Sequence, residues 1–395
     1  MNHITKALVY LLRLSQNREL LCNDNGALKA DDIFSSISLS DTQDSDGREL
    51  FLSLSGKDWE DLFSLCCLQG VEAMAFDALS VIKHDEKFFL KLNLGRDLFF
   101  EWMSATFDVE TDYLKKKKAI SKLSSLYASH GYRMMLLKGY GLSLNYAVEK
   151  HRSSGDIDIY LFGKQREADK ALSRDGIEIC NDVHHHTTFF FQGIHVENHF
   201  DFVNIQAHFS NRRLEKILKR LSTLENETIS VLGETVCLPN AQLNALFLIR
   251  HMAMHFAAEK IILRHIMDWA CFIRKYDCKI DWMELIKILR RENMDRFLAI
   301  VNRLAFLFTG FRSVAMEDTV KVDEALFERV LGDIIHPEWN EQHPLTRNPF
   351  KIFIYRFRRW RAGSWKHRIV YTESLCLTFI MQVFSHLYKP KTFFR

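Results

Sequence analysis

The scarcity of glycine and proline is the feature that most constrains how this chain folds. Its 395 residues contain 16 glycines and 5 prolines, well below the averages of about 7% and 5% in globular proteins. Sandwiches and barrels of short strands need many turns, and turns draw on both residues. Apolar residues make up 47% of the chain, enough to build a sizeable core. We therefore expect a well-packed protein in which helix dominates.

Helical periodicity fills the two flanks of the chain. Apolar residues recur at helical spacing over residues 4–21, 57–79 and 97–130, and again over most of 240–335. Between the first two of these segments, residues 23–57 are rich in Asn, Asp, Ser and Gly, which is typical of a linker or irregular loop. We therefore predict that both flanks are mostly helical.

The pattern changes near residue 131, where short apolar runs alternate with short helical segments. Strands are predicted over 134–137, 157–162 and 176–180, and helices over 142–148 and 165–173. This alternation is typical of a mixed α/β domain.

Two β-hairpins are predicted further along this mixed region. A Gln-Gly pair separates the β-rich runs 187–191 and 194–202, and a single glycine interrupts the run 229–238. A helix is predicted over 204–221, between the two hairpins. A mixed domain inside a largely helical chain indicates the α+β class.

The chain divides into four segments on these patterns. We expect a helical N-terminal region over 1–130, a mixed α/β domain over 131–238 and a helical domain over 239–335. Residues 336–395 are expected to form a basic, aromatic-rich helical segment.

Positive charge is concentrated at the C-terminal end. The net charge of the whole chain is only +3, yet residues 350–395 contain ten Lys and Arg residues and one acid. Cations alternate with aromatic residues over 350–361, a pattern found in helices that dock on the protein body, lie on an anionic membrane surface, or bind nucleic acid. The sequence leaves all three interpretations open.

Cysteine usage and hydropathy indicate the cellular compartment in which the protein is expected. The eight cysteines include no C-x-x-C pair, and a chain of this length needs no disulfides to fold. The longest apolar run near the C-terminus, 375–384, is about half the length that a membrane-spanning helix requires. We therefore expect a cytoplasmic protein with reduced thiols and no transmembrane segment.

The segment 152–161 carries the residues with the clearest chemical meaning. Asp156 and Asp158 are two positions apart on a predicted strand, so both carboxylates lie on one face. Ile157 and Ile159 then point the opposite way, into a core. Two neighbouring carboxylates repel each other unless a cation lies between them, and hard oxygen ligands suit Mg²⁺ with bound phosphates. The spacing therefore indicates a metal site.

Two further features lie near this pair in the sequence. Lys138 and Gly139 end a predicted strand just before a short helix, where glycine permits close backbone approach and helix N–H groups favour phosphate. On a later strand, His195, Glu197 and His199 share one face. If that strand lies beside the first, Glu197 adds a third carboxylate and completes a two-metal site for in-line phosphoryl transfer.

These motifs resemble those of the polymerase-β-like nucleotidyltransferase superfamily. The resemblance is closer to its bacterial branch of uncharacterised nucleotidyltransferases, in which an L-K-G segment precedes an R-x-x-G-D-I-D segment. The matching stretch covers about residues 131–270. Its elements in this chain are Leu137-Lys138-Gly139, Arg152, Gly155-Asp156-Ile157-Asp158, Val196-Glu197-Asn198-His199, and a helical part with His251, His255, Arg264 and Asp268.

The resemblance implies a small mixed β-sheet flanked by helices, with 131–238 as the nucleotidyltransferase catalytic domain. It also implies transfer of a nucleoside monophosphate from an NTP to an unknown acceptor hydroxyl, with release of pyrophosphate. By residue matching, Asp156 and Asp158 would bind two Mg²⁺ (or Mn²⁺) ions. Glu197 would bind the catalytic ion and help to activate the hydroxyl.

Under the same resemblance, nucleotide contacts are expected from Lys138, Gly139, Arg152 and Gly155. The turn departs from the wider superfamily, in which Gly-Ser usually precedes the short helix and the serine hydroxyl touches the triphosphate. Here Lys138 replaces that hydroxyl with a charge, and Arg152 supplies a second cation. Two alternative functions stay open: a non-catalytic nucleotide-binding or regulatory protein on the same fold, and an RNA-modifying transferase that grips RNA through the basic C-terminal segment.

Six histidines occur between residues 184 and 208. Imidazole is a common zinc ligand, but no cysteine joins them at ligand spacing, and consecutive strand residues face opposite sides. A zinc site is therefore disfavoured, whereas His186 or His199 as a proton carrier or a substrate contact stays open.

Two residue pairs in the helical part have i,i+4 spacing. His251 and His255 are spaced like metalloprotease ligands, but Met252 stands where that motif requires Glu, so we expect packing or hydrogen bonding between helices. Arg264 and Asp268 have the spacing of an intrahelical ion pair, with contact to the catalytic domain as the alternative.

Overall fold

A computed structural model describes residues 1–16, 33–34, 47–181, 184–313, 322–341, 344 and 348–388. Within these ranges the protein is mainly helical, with one β-sheet in the middle of the chain. Much of the linker predicted over 23–57 lies outside the described residues, but its last part contains a helix, Gly47–Ser53.

The α-helices that are described over their whole length are, in chain order, α1 His3–Ser15, α2 Gly47–Ser53, α3 Gly56–Gln69, α4 Glu72–Ile82, α5 Glu86–Phe89, α6 Arg96–Ser129, α7 Tyr140–Ser143, α8 Gln165–Arg174, α9 Phe209–Ser222, α10 Ala241–Ala258, α11 Leu263–Tyr276, α12 Trp282–Arg291, α13 Asp295–Thr309, α14 Glu324–Ile335, α15 Pro349–Ala362, α16 Ser364–Val370 and α17 Leu375–Tyr388. Short 3₁₀ helices cover Glu149–His151 and Asp277–Lys279.

The helical predictions for the N-terminal flank are confirmed in outline. Helix α1 extends to Ser15, whereas residues 17–21 of its predicted extent lie outside the described part. The single helix predicted over 57–79 is two helices, because Gly70 takes a left-handed conformation (φ +64°) that ends α3. The long helix predicted over 97–130 is α6.

The β-sheet has six strands: β1 Met135–Leu136, β2 Ile157–Tyr160, β3 His186–Phe191, β4 Ile194–His199, β5 Glu227–Val231 and β6 Glu234–Leu238. Their order across the sheet is β3-β4-β2-β1-β6-β5. Strands β2 and β4 run parallel, as do β1 and β6, and the other neighbouring pairs are antiparallel. This mixed sheet within a helical protein confirms the α+β prediction, and both predicted hairpins are present.

Three details of the mixed region differ from the prediction. Residues 176–180 form no strand, because only Cys180 reaches the edge strand β3, in a single bridge to Thr188. The helix predicted over 142–148 is the single turn α7, and the helix predicted over 204–221 is the shorter α9. Contacts with neighbouring elements decide the extent of such short segments more than their own propensity does.

Buried apolar side chains form two clusters. The larger one joins the N-terminal helices to the helices that follow the sheet, and it includes Leu8, Trp59, Leu246 and Trp269. The smaller one lies between the sheet and α6, and it includes Ile157. The N-terminal helices therefore pack against the helices of the C-terminal half, and the four segment boundaries stay a prediction.

The C-terminal helices contact the body of the protein. Lys366 forms a buried ion pair with Asp333 (Nζ to Oδ2, 2.6 Å), and Arg359 pairs with Glu259 (2.9 Å). These contacts agree with the docking interpretation, while membrane-surface and nucleic-acid contacts stay predictions. Among the residues that the structure describes, no helix has both the length and the apolarity needed to cross a bilayer.

The larger core generates a first prediction. Leu246 is fully buried in it, so Leu246→Ala leaves a cavity, and we expect the free energy of unfolding to fall by about 3 kcal/mol. Leu68→Ala is the matched control, because Leu68 on α3 is 70% exposed and its truncation is expected to change stability by less than about 0.5 kcal/mol. Urea denaturation measures both, and equal destabilisation of the two variants would contradict this core.

Candidate active site

Three carboxylates lie together beside strands β2 and β4. Asp158 and Glu197 are Cα partners across this parallel pair, and Asp156 comes just before β2. A carboxylate oxygen of Glu197 lies within 4.8 Å of one from each aspartate. Ile157 and Ile159 lie in the smaller core instead. The alternation predicted for this strand is therefore observed, and Glu197 lies within reach of both aspartates.

Lys138 supplies a positive charge next to Asp158. Its Nζ lies 2.9 Å from Oδ1 of Asp158, and Nε2 of His199 lies 3.2 Å from the same oxygen. Burial by itself would raise the pKa of the Asp158 carboxyl, but Lys138 and His199 outweigh burial and hold that pKa well below its usual range. The site therefore keeps an ionised carboxylate in a buried position.

Helix α10 contributes two histidines to the same place. Nζ of Lys138 lies 2.8 Å from Nε2 of His251, which lies 3.2 Å from Nε2 of His255. Burial, with the charge of Lys138 added to it, lowers the pKa of His251 well below its ordinary value. His251 is therefore neutral and accepts a hydrogen bond from the Lys138 ammonium. The contact between helices that was expected for this pair is made by His255, whose ring stacks on His265 of α11 (centroids 5.7 Å apart), whereas His251 bonds to the turn after β1.

The turn at Gly139 brings the end of β1 against the start of β2. Gly139 has φ +55°, a conformation that side chains rarely adopt, and a Cβ there would lie 3.4 Å from the carbonyl oxygen of Asp156. The amides of residues 141–143 already donate to carbonyl oxygens of this turn. These three amides are therefore occupied within the turn, and phosphate binding at the start of this helix stays a prediction. A Cβ at Gly155 would meet nothing within 4 Å, so close packing does not require glycine there.

Arg152 is held by a carboxylate from the helical half of the protein. Its Nε and Nη2 lie 2.6 and 2.7 Å from the two carboxylate oxygens of Asp268 on α11. The Tyr146 hydroxyl donates to the same carboxylate (2.6 Å). Burial would raise the pKa of Asp268, but Arg152 outweighs burial and the pKa is lowered. Asp268 therefore contacts the predicted catalytic domain through Arg152, and the intrahelical pair with Arg264 that its spacing suggested is wrong.

Arg264, the other member of that expected pair, lines the cavity at the carboxylate site. Its Nη1 donates to the carbonyl oxygen of Ser153 (3.3 Å), and burial together with the charge of Arg152 lowers its pKa. Among the described residues, no carboxylate lies within ion-pairing distance of its guanidinium. Arg264 is therefore a half-buried cation open to an anionic ligand, whereas the sequence placed it in a pair with Asp268 and not among the nucleotide contacts.

One cavity of about 440 Å³ connects these groups, a volume within the range of small-molecule sites. Helices α10 and α11 form its wall opposite the sheet, with Met252 and Trp269 among the apolar contacts. The seven site residues predicted from the sequence all line it: Lys138, Gly139, Arg152, Gly155, Asp156, Asp158 and Glu197.

The histidines that follow residue 184 differ in their surroundings. His195 contacts Asp156 (Nδ1 to Oδ1, 3.3 Å). His185, His186 and His199 lie together beside the carboxylates, with ring centroids 4.5 to 5.5 Å apart. Opposite faces were expected for the consecutive residues, but His185 precedes the first residue of β3. Strand alternation therefore does not separate the two rings.

The mixed sheet and the three carboxylates at one cavity agree with the resemblance to nucleotidyltransferases. The chain belongs to a family of uncharacterised nucleotidyltransferases, whose model matches residues 55–310. No curated protein and no solved structure matches the chain. The family match is longer than the stretch 131–270 expected from the motifs, because it includes the helices from α3 to α6 before the sheet and α12 and α13 after it.

The Arg152–Asp268 pair generates a second prediction. Asp268→Asn leaves the Arg152 guanidinium buried without a counter-ion, so we expect the free energy of unfolding to fall by about 3 to 5 kcal/mol. The double variant R152M/D268L removes both charges and is expected to recover part of that loss. Lys57→Ala breaks an exposed pair with Glu60 and is expected to have no measurable effect in the same urea denaturation. A D268N protein as stable as the wild type would count against the buried pair.

Proposed function

We propose that this protein transfers a nucleoside monophosphate from an NTP to an acceptor hydroxyl, with two Mg²⁺ (or Mn²⁺) ions held by Asp156, Asp158 and Glu197. One observation carries the proposal: the three carboxylates fall into two candidate ligand groups, Asp156 with Glu197 and His195, and Asp158 with Glu197 and His199, so that Glu197 belongs to both. Two adjacent metal positions with carboxylate ligands suit in-line phosphoryl transfer.

The ligand atoms that the site offers suit these ions. The carboxylates offer hard oxygen ligands, which Mg²⁺ prefers. Among the described residues, Lys138 is the one lysine or arginine within ion-pairing distance of the three carboxylates, whose other basic neighbours are histidines. When bound, the ions supply Lewis-acid polarisation of the α-phosphate and neutralise charge on the leaving pyrophosphate.

Lys138 and Arg264 are the cations that we assign to the triphosphate. Both line the cavity, one at the carboxylates and the other on α11. Lys138 exchanges its contact with Asp158 for a phosphate oxygen as the nucleotide binds. Arg264 presents paired donors in a fixed plane, which match two phosphate oxygens at once.

Arg152 acts in this proposal as a positioning residue. It begins the loop 152–155, which leads directly into Asp156. One edge of its guanidinium, Nε and Nη2, is bound to Asp268, and its Nη1 donates to the Ser153 carbonyl of the loop (3.3 Å). By holding this loop, the buried pair keeps Asp156 beside Glu197. Gly139 contributes by letting the turn after β1 approach the Asp156 carbonyl.

The transfer step itself needs one proton acceptor. The oxygen of the acceptor hydroxyl forms a bond to the α-phosphorus, and the bond from phosphorus to the bridging oxygen breaks on the opposite side. Pyrophosphate leaves with that electron pair, and Glu197 accepts the hydroxyl proton. A sugar, a small alcohol, a protein side chain and an RNA end all present a hydroxyl that fits this step.

Asp156→Asn tests the carboxylate assignment. The Asp156 side chain is 47% exposed, so the substitution is expected to leave the fold intact, as circular dichroism would verify. Transfer of label from an α-labelled NTP to acceptors in a cell extract should fall by more than about 100-fold, because a metal ligand is lost rather than an outer-shell partner. Asp175→Asn makes the same change at an exposed site and should keep full activity. Undiminished transfer by Asp156→Asn would refute the assignment.

Arg264→Ala tests the phosphate contact. We expect the KM for the NTP to rise about tenfold, equivalent to about 1.4 kcal/mol, with a smaller change in kcat. Arg264→Lys keeps the charge but not the paired donors, so an intermediate KM is expected. Arg220→Ala removes an exposed cation of α9 and is the control. An unchanged KM in Arg264→Ala would exclude this contact.

Pyrophosphate release separates the proposal from the non-catalytic alternative. A nucleotide-binding or regulatory protein on this fold would bind NTP and release no pyrophosphate. The proposed transferase should release pyrophosphate only when both Mg²⁺ and an acceptor are present. Binding of NTP without such release, across the acceptor classes named above, would favour the regulatory alternative.

A further inference from the structure

Three imidazoles converge at the side of the carboxylate site. One ring nitrogen from each of His185, His186 and His199 lies within 4.8 Å of the other two. The ring centroids are 4.5 Å apart for His185 and His186, 5.0 Å for His186 and His199, and 5.5 Å for His185 and His199. We refer to these residues as the histidine triad.

Two atoms of the triad have no partner in the part of the chain that the structure describes. The Nδ1 atoms of His185 and His186 are buried and make no hydrogen bond. A buried polar atom without a partner costs about 1 to 3 kcal/mol, so two such atoms in neighbouring side chains need an explanation. A bound metal ion would supply the missing partner, because a neutral imidazole nitrogen is a metal ligand.

The backbone holds the triad in place before any ligand arrives. His186 and His199 are Cα partners across the antiparallel pair β3–β4. The amides of Phe200 and Asp201 both donate to the carbonyl oxygen of His185, at 3.1 Å each. The three residues are therefore fixed by sheet and turn hydrogen bonds rather than carried on a free loop.

We propose that the histidine triad is a second metal site, which binds a transition-metal ion such as Zn²⁺ or Co²⁺ and is distinct from the carboxylate site for Mg²⁺. Imidazole nitrogen suits these ions and suits Mg²⁺ poorly. Three histidines with one open position form a known kind of zinc site. Zinc-bound nitrogens are about 3.4 Å apart in tetrahedral geometry, and the three nitrogens already lie within 4.8 Å of one another. To bind, His199 gives up a proton and one of its contacts with Asp158 or the Asp201 carbonyl.

The triad is adjacent to the carboxylate site through Glu197. One Glu197 oxygen lies 3.4 Å from Nε2 of His186, and the other lies 3.5 Å from Nε2 of His199. An ion at the triad would hold these two rings and thereby fix the Glu197 carboxylate. The triad proposal rests on the imidazole geometry and stands independently of nucleotidyl transfer.

Cobalt binding to the full chain tests the proposal. The purified protein is stripped with EDTA and titrated with Co²⁺ in excess Mg²⁺, and the visible d–d absorption reports nitrogen coordination. We expect one equivalent of Co²⁺ that Zn²⁺ displaces and Mg²⁺ does not. His186→Ala and, as a second variant, His185→Gln should each weaken Co²⁺ binding by at least about tenfold. His255→Ala is the matched control, because His255 lines the same cavity outside the triad.

Asp156→Asn separates this proposal from the proposed function. That variant is expected to lose nucleotidyl transfer and to keep the cobalt absorption. If Mg²⁺ displaces Co²⁺ from the wild type, or Asp156→Asn abolishes the absorption, a single carboxylate site explains the binding and the triad site is excluded. Absence of any cobalt absorption in the folded wild type would also overturn the proposal.

Discussion

The parallel pairing of β2 with β4 is the constraint on which the candidate site depends. Its register sets Asp158 opposite Glu197, and a slip of one residue would turn Glu197 to the other face of the sheet. Apolar burial fixes this register, because Ile157, Ile159 and Val196 lie in the core on the opposite face. The packing of ordinary aliphatic side chains thus determines which acidic side chains meet.

The helices of the C-terminal half complete the site that the sheet begins. Asp268 of α11 holds Arg152, and His251 of α10 contacts Lys138. Both contacts link these helices to segments that flank β1 and β2, and residues 55–310, which match the family, include all four residues. The same helices belong to the larger core, so the geometry of the cavity depends on packing throughout the helical part.

Strand periodicity explains how much of the site was predictable from sequence. Because side chains alternate along a strand, the placement of Asp156 and Asp158 on one face follows from spacing alone. That Glu197 lies beside them required the resemblance to a known family, since one sequence does not reveal which strands are neighbours. The match to the family confirms that resemblance.

Helical spacing was less informative, because one i,i+4 pattern fits both a local pair and two separate tertiary contacts. Asp268 pairs with Arg152, 116 residues away, and Arg264 faces the cavity. For the two helical residues the missing information was the position of another element, whereas for His185 it was the residue at which β3 begins.

The central claim is that Asp156, Asp158 and Glu197 bind the metal ions in the same cavity in which the nucleotide binds. A crystal structure of the full chain with Mn²⁺ and a non-hydrolysable NTP tests it most directly, because anomalous scattering locates manganese independently of the assumed ligands. We expect manganese at Glu197 and the two aspartates, with the triphosphate extending toward Arg264. Manganese bound elsewhere, or a nucleotide outside this cavity, would contradict the account.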